Sequence, residues 1–149
     1  MKPMIMALAL ATAALPGAAM AAKPPVYTAP FSQVAAGGYD VVAYFTVGRP
    51  VKGDARFVTD WKGVRWQFSS AANLATFRTN PAAYAPQYGG YCAWAVANGY
   101  TAKGDPLRWK IVGGKLYLNY NADIQSRWVK DIPGFIRKGD QSWPTVLDK

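Results

Sequence analysis

Phe57-Val58-Thr59-Asp60-Trp61-Lys62-Gly63-Val64-Arg65-Trp66-Gln67-Phe68-Ser69-Ser70 is the stretch whose reading decides the fold. Two β-rich runs, Phe57 to Trp61 and Val64 to Phe68, flank Lys62-Gly63, and that spacing predicts a tight hairpin. Val64, Trp66 and Phe68 alternate with Arg65 and Gln67, so the second strand offers one apolar and one polar face. Ser69-Ser70 then supplies a cap for a helix from Ala71 to Thr79. Leu74 and Phe77, three apart, point that helix at the core, and Asn80-Pro81 stops it.

The same signals recur downstream. Ala82 to Tyr84 predicts one further helical turn, and Gly104-Asp105-Pro106 opens a bend. Trp109 to Val112 enters a second hairpin through Gly113-Gly114, with Leu116, Leu118 and Tyr120 alternating on the return strand. Asn121 caps a helix from Ala122 to about Asp131, with Ile124 and Trp128 at i, i+4, and Pro133-Gly134 interrupts it. Phe135 to Trp143 predicts a last helix, ending near Pro144. Upstream, Gly37-Gly38 turns the chain into a β-rich run, Tyr39 to Phe45, and Gly48-Arg49-Pro50 ends it. The expected fold class is α+β: one small domain of antiparallel β-hairpins packed with short helices, with a C-terminal helical extension.

The N-terminus reads as a signal peptide over residues 1–21. Lys2 gives it a positive start, Met4 to Leu15 an apolar run too short to span a bilayer, and Ala19-Met20-Ala21 a small-residue cleavage site. Residues 22–36 are Pro-rich at their start and are expected as a flexible arm; residues 37–147 form the domain. Removing 21 of the 149 residues leaves 128, and takes all four Met with them. The mature chain then holds no His, no Met, no Glu and one Cys, while all 6 Trp, 9 Tyr and 6 Phe remain for the core. One cysteine closes no internal disulfide. Lys2 is the only base lost with the signal, so the formal charge falls from +9 to +8, with the basic residues spread rather than clustered. That pattern fits a solvated surface better than a nucleic-acid footprint, and no nucleic-acid partner is expected. No second long apolar run follows, so the mature chain is expected to carry no transmembrane anchor and to be periplasmic or secreted.

With these elements placed, the chain resembles the YHS-domain family in its secreted bacterial branch. Gly38-Tyr39-Asp40-Val41-Val42-Ala43-Tyr44-Phe45 is similar to the family's opening motif, with Val41 where Pro is usual. Trp66 to Phe77, then Asn80-Pro81 and Tyr84, resembles the strand–helix core. Tyr88 to Ala93, Trp109 to Val112 and Leu116 to Asn121 resemble the branch's own extension. Related domains hold heavy metals through cysteines whose positions fall here at Ala43, Ser69 and Asn73, with the family histidine at Gln67. The resemblance therefore implies the fold without that metal site.

The chemistry on offer is narrow. With no His there is no Ser-His or Cys-His pair, and Asp residues beside Gly and Pro, such as Asp40 and Asp105, read as turn formers and caps. No cofactor and no metal is expected, and no autonomous enzyme. Tyr88-Gly89-Gly90-Tyr91-Cys92-Ala93-Trp94-Ala95-Val96-Ala97-Asn98-Gly99-Tyr100 holds the one cysteine among aromatics, with a short helix predicted from Tyr91 to Ala97. Tyr88, Gly89, Gly90, Tyr91, Cys92, Trp94, Tyr100 and Trp109 are the candidate ligand-binding residues. Cys92 has two readings, a buried apolar filler or a thiol at the edge of an aromatic pocket, and the second is preferred. The expected role is a small binding or accessory module for an unknown small molecule or protein partner. The alternatives are a copper- or zinc-handling protein using Cys92 in an intermolecular site, with a possible dimer through Cys92, and a thiol-redox partner protein.

Overall fold

The computed structural model describes residues 3, 11–17 and 21–149. The expected signal peptide and its cleavage site lie for the most part outside the described residues. Among those residues the order is α1 (Ala43–Thr46), β1 (Asp54–Trp61), β2 (Val64–Phe68), α2 (Ala71–Thr79), α3 (Pro81–Tyr84), α4 (Ala93–Ala97), β3 (Asp105–Val112), β4 (Lys115–Asn119), α5 (Ala122–Trp128) and α6 (Ile132–Ser142), with short 3₁₀ turns between. The fold is α+β. The strands make two separate antiparallel hairpins, β1–β2 and β3–β4. No helix among the described residues is long and apolar enough to cross a membrane.

Both hairpins close through two-residue turns, Trp61 opposite Val64 and Val112 opposite Lys115. Such turns need left-handed backbone at both central residues. Gly113 and Gly114 adopt it without side-chain cost at φ 57° and 75°, whereas the first turn puts a lysine, Lys62, at φ 51° before Gly63 at 77°. The helix starts follow side-chain caps: Ser70 accepts from Asn73 N at 3.1 Å, and Asn121 from Ile124 N at 2.9 Å.

Two cores share one strand. The first gathers Val41, Val42, Tyr44, Trp66, Phe68 and Phe77 with Leu116 and Leu118 of β4. The second gathers Tyr88, Tyr91, Val96, Trp128 and Val146 with Tyr117 of β4. β4 is thus buried on both faces, from Leu116 to Asn119. The strand ends before Tyr120, which was expected to continue the alternation and is instead exposed.

Three expectations are corrected. The run Tyr39–Phe45 is not a strand. Asp40 turns its carboxylate back to accept from Val42 N at 2.9 Å and Ala43 N at 3.2 Å, which nucleates α1 despite the β-branched neighbours. Pro133 does not break the last helix but begins it. Asp131 caps α6 by accepting from Gly134 N at 3.1 Å, and proline at a first turn removes only a donor that has no helical partner. Residues 22–36, expected as a flexible arm, lie against the domain. Val26 is buried in the first core, Tyr27 N donates to Gly89 O at 2.9 Å, and Lys23 N donates to Leu147 O at 2.8 Å. Gly89 makes this docking possible: at φ 61° its hydrogen faces the chain, and a Cβ there would sit 1.9 Å from Pro25 O.

Candidate functional site

α4 is one of the short helices, and the cysteine region is organised around its beginning. Helix starts leave N–H groups without helical partners. Cys92 stands at the capping position, but its side chain makes no cap bond. The cap comes from another element: Asn119 Oδ1, at the end of β4, accepts from Trp94 N at 3.1 Å and from the Cys92 thiol at 3.6 Å. Cys92 N is paired with Ala102 O at 2.9 Å. Asn119 is wholly buried by this role, and its Nδ2 finds no partner among the described residues. An orphaned buried donor costs about 1–3 kcal/mol, so the cap and the packing around it must outweigh that.

Cys92 has no exposed surface. Burial raises its thiol above the ordinary range, while the N–H groups of Ala95, Tyr120 and Trp94 pull the other way without reversing the direction. The preferred expectation of a pocket-edge thiol partly open to solvent is therefore corrected: Cys92 lies behind the wall of the neighbouring cleft with no surface of its own. Gly89 admits the N-terminal strap, Gly90 packs against Gly104, and Asn119, 27 residues downstream, lies against the sulfur. A metal shared between two copies, a mixed disulfide or a dimer through Cys92 each requires a sulfur that this packing does not present.

The candidate residues fall into separate places. Cys92, Trp94 and Tyr100 belong to a cleft of about 300 Å³ between α4 and the start of α5. Trp94 and Tyr100 form an edge-to-face pair 6.2 Å apart, and both Tyr100 and Tyr120 are exposed at the rim. The sequence reading missed Tyr120, Asp123 and Ile124, which complete the walls. Their signal was the step from strand to capped helix at Asn121, which turns α5's first residues toward α4. The cleft's one acidic group, Asp123, is paired with Arg127 at 3.1 Å. Tyr88 and Gly89 line a second cleft on another side. Gly90 packs tightly against Gly104, where a Cβ would meet Gly90 O at 2.1 Å. Tyr91 is core, its hydroxyl donating to Pro24 O at 2.9 Å. Trp109 packs 5.1 Å from Tyr44 in the first core.

The positions that the resemblance assigns to metal cysteines also converge. Asp40, fully buried, takes five donors: Val42 N and Ala43 N on Oδ1, and Ser69 N, Ser69 Oγ and Asn73 Nδ2 on Oδ2 at 2.8, 2.6 and 2.8 Å. Ser69 and Asn73 both turn donors inward, and Ala43 offers only its backbone. A carboxylate enclosed by N–H and O–H groups sits in an anion cradle, the opposite of what a cation needs. These residues do not fit a metal ion. Compared with protein-family models, with curated proteins and with solved structures, the chain gives no match.

Proposed function

We propose that this chain is a secreted or periplasmic binding module of YHS type, taking a small, neutral, largely apolar ligand in the cleft between α4 and α5. The cleft carries the reading. About 300 Å³ is walled by Trp94, Tyr100, Tyr120 and Ile124, and its only carboxylate, Asp123, is paired with Arg127 at the solvent-exposed surface. That volume is at the small end of ligand pockets, and aromatic walls with little free charge select flat, uncharged groups. The targeting pattern at Lys2, Met4 to Leu15 and Ala19-Met20-Ala21 supports export, and the motifs from Gly38 to Asn121 support the YHS assignment. The buried thiol and the lack of histidine favour binding over catalysis.

Indole, followed through the Trp94 and Tyr100 resonances by NMR, tests the cleft. Saturable binding is expected, weakened about tenfold by Tyr100→Ala combined with Tyr120→Ala, since each aromatic wall contributes about 0.5–1.5 kcal/mol. Binding that ignores both changes, or none at millimolar indole, refutes the cleft as the site.

A further inference from the structure

The second cleft differs in chemistry from the first. It encloses about 320 Å³ between the N-terminal strap, the tips of both hairpins and the turn before α4. Trp61, Trp66, Tyr88 and Trp143 form its walls, and its charged lining is Lys62 and Lys115, with no carboxylate. Each lysine sits at a hairpin tip: Lys62 in the β1–β2 turn, Lys115 just after the β3–β4 turn. Neither makes a salt bridge among the described residues. Lys62 Nζ lies 4.7 Å above the Trp61 ring, which holds the ammonium beside an aromatic wall. The Tyr88 hydroxyl donates to Asp140 at 2.9 Å, and Asp140 is not among the residues that line the cleft.

Backbone strain coincides with this cleft. Among the described residues four non-glycine positions adopt left-handed backbone, and two of them, Lys62 and Tyr88, line it. A two-residue hairpin turn takes Asn at the Lys62 position more readily than Lys. Tyr88 at φ 57° is held by Gly139 of α6, where a Cβ would come 2.5 Å from the tyrosine oxygen. Strain of this kind persists where surrounding packing overrides it, and it gathers at ligand clamps.

We propose that this cleft is a second binding site, for a small aromatic monoanion whose flat body lies between Trp61 and Trp143, over the buried Trp66, and whose charge is met by Lys62 and Lys115. Unpaired cations without a competing acid favour an anion, and an indole-lined space of this size favours a ring. It shares no lining residue with the cleft at α4, which takes a neutral ligand where this one takes an anion.

The test compares 2-naphthoate with 2-naphthamide on the full mature chain, read by NMR at the indole N–H signals of Trp61 and Trp143. Expected are saturable binding of the naphthoate, at least tenfold weaker binding of the amide, and weakening as sodium chloride rises. K62Q/K115Q, two exposed positions whose change leaves the cores intact, should weaken the naphthoate about tenfold or more. Tyr100→Ala should leave it unchanged. Equal binding of acid and amide overturns the proposal. So does indifference to K62Q/K115Q in a variant that unfolds at the parent's midpoint, loss of naphthoate binding in Tyr100→Ala, or no saturation at millimolar naphthoate. Self-association through this face, seen as a sedimentation change in K62Q/K115Q without a change in naphthoate binding, overturns it as well.

Discussion

Asp40→Asn isolates what the buried carboxylate contributes. The substitution keeps shape and removes charge. In one orientation the remaining oxygen still serves Val42 N and Ala43 N, but the new NH₂ then faces three donors that sat 2.6–2.8 Å from Oδ2. The Ser69 hydroxyl can rotate to accept, and the Asn73 amide can turn over. Ser69 N cannot move, because it belongs to the backbone between β2 and α2. One backbone N–H is orphaned, at about 1–3 kcal/mol, and charge-assisted bonds become neutral ones. About 2–3 kcal/mol of destabilisation is expected. Asp40→Ala orphans Val42 N as well and should cost about 3–5 kcal/mol, a large share of the 5–15 kcal/mol typical of a domain. Asn73→Ala removes a single bond from a half-buried position and should cost about 1–1.5 kcal/mol. Urea unfolding followed by tryptophan fluorescence measures all three, with the midpoint moving and the m-value constant. An Asp40→Asn cost below about 1 kcal/mol would refute the claim that these five donors depend on the charge.

The thiol of Cys92 should resist iodoacetamide until the protein unfolds, and Cys92→Ala should cost about 1–2 kcal/mol; alkylation of the folded chain faster than unfolding refutes the burial. Gly89→Ala should displace the N-terminal strap, because a Cβ there would sit 1.9 Å from Pro25 O; protease cleavage within residues 22–30 should appear in the variant and not in the parent. Stability should fall above about pH 10. Burial, then the charges of Tyr39, Asp105 and Asp40, raise the Tyr44 phenol, and burial followed by Asp140 raises Tyr88. Below pH 10 both states keep these protons and the stabilisation is whole. Above it the unfolded chain releases them first, so denaturant midpoints should decline until the folded values are passed. Midpoints constant to pH 11.5 contradict this.

The elements that were legible in the sequence are those set by neighbours. Lys62-Gly63 and Gly113-Gly114 fix both hairpins, and Ser70 and Asn121 fix two helix starts, because turn geometry and capping act within four residues. Tyr39–Phe45 misled because its composition favours a strand while a single side chain, Asp40, bonds the backbone locally. The site was half legible for a related reason. The aromatics around Cys92 pointed to Trp94 and Tyr100, but the residue that buries the thiol, Asn119, comes from a strand whose alternation read as one buried and one free face. The signal that a second core covers the far side of β4 was Tyr117, set between Leu116 and Leu118, and its ring packs 5.5 Å from Trp128, nine residues after Asn119. Trp109 and Tyr91 were assigned to a ligand by composition alone, and composition does not separate a wall facing solvent from one facing Tyr44 or Tyr27.

The shared strand has a consequence for cooperativity. β4 is five residues long, yet Leu116 and Leu118 bind one core while Tyr117 and Asn119 bind the other. To expose either core, the chain must lift this strand, and lifting it strips the opposite core of its wall and α4 of its cap. Two sheets that share no hydrogen bond are thereby fused into a single foldon. Amides in β2 and in α4 should then exchange with one common opening free energy, and the chain should melt as one unit although its strands form two.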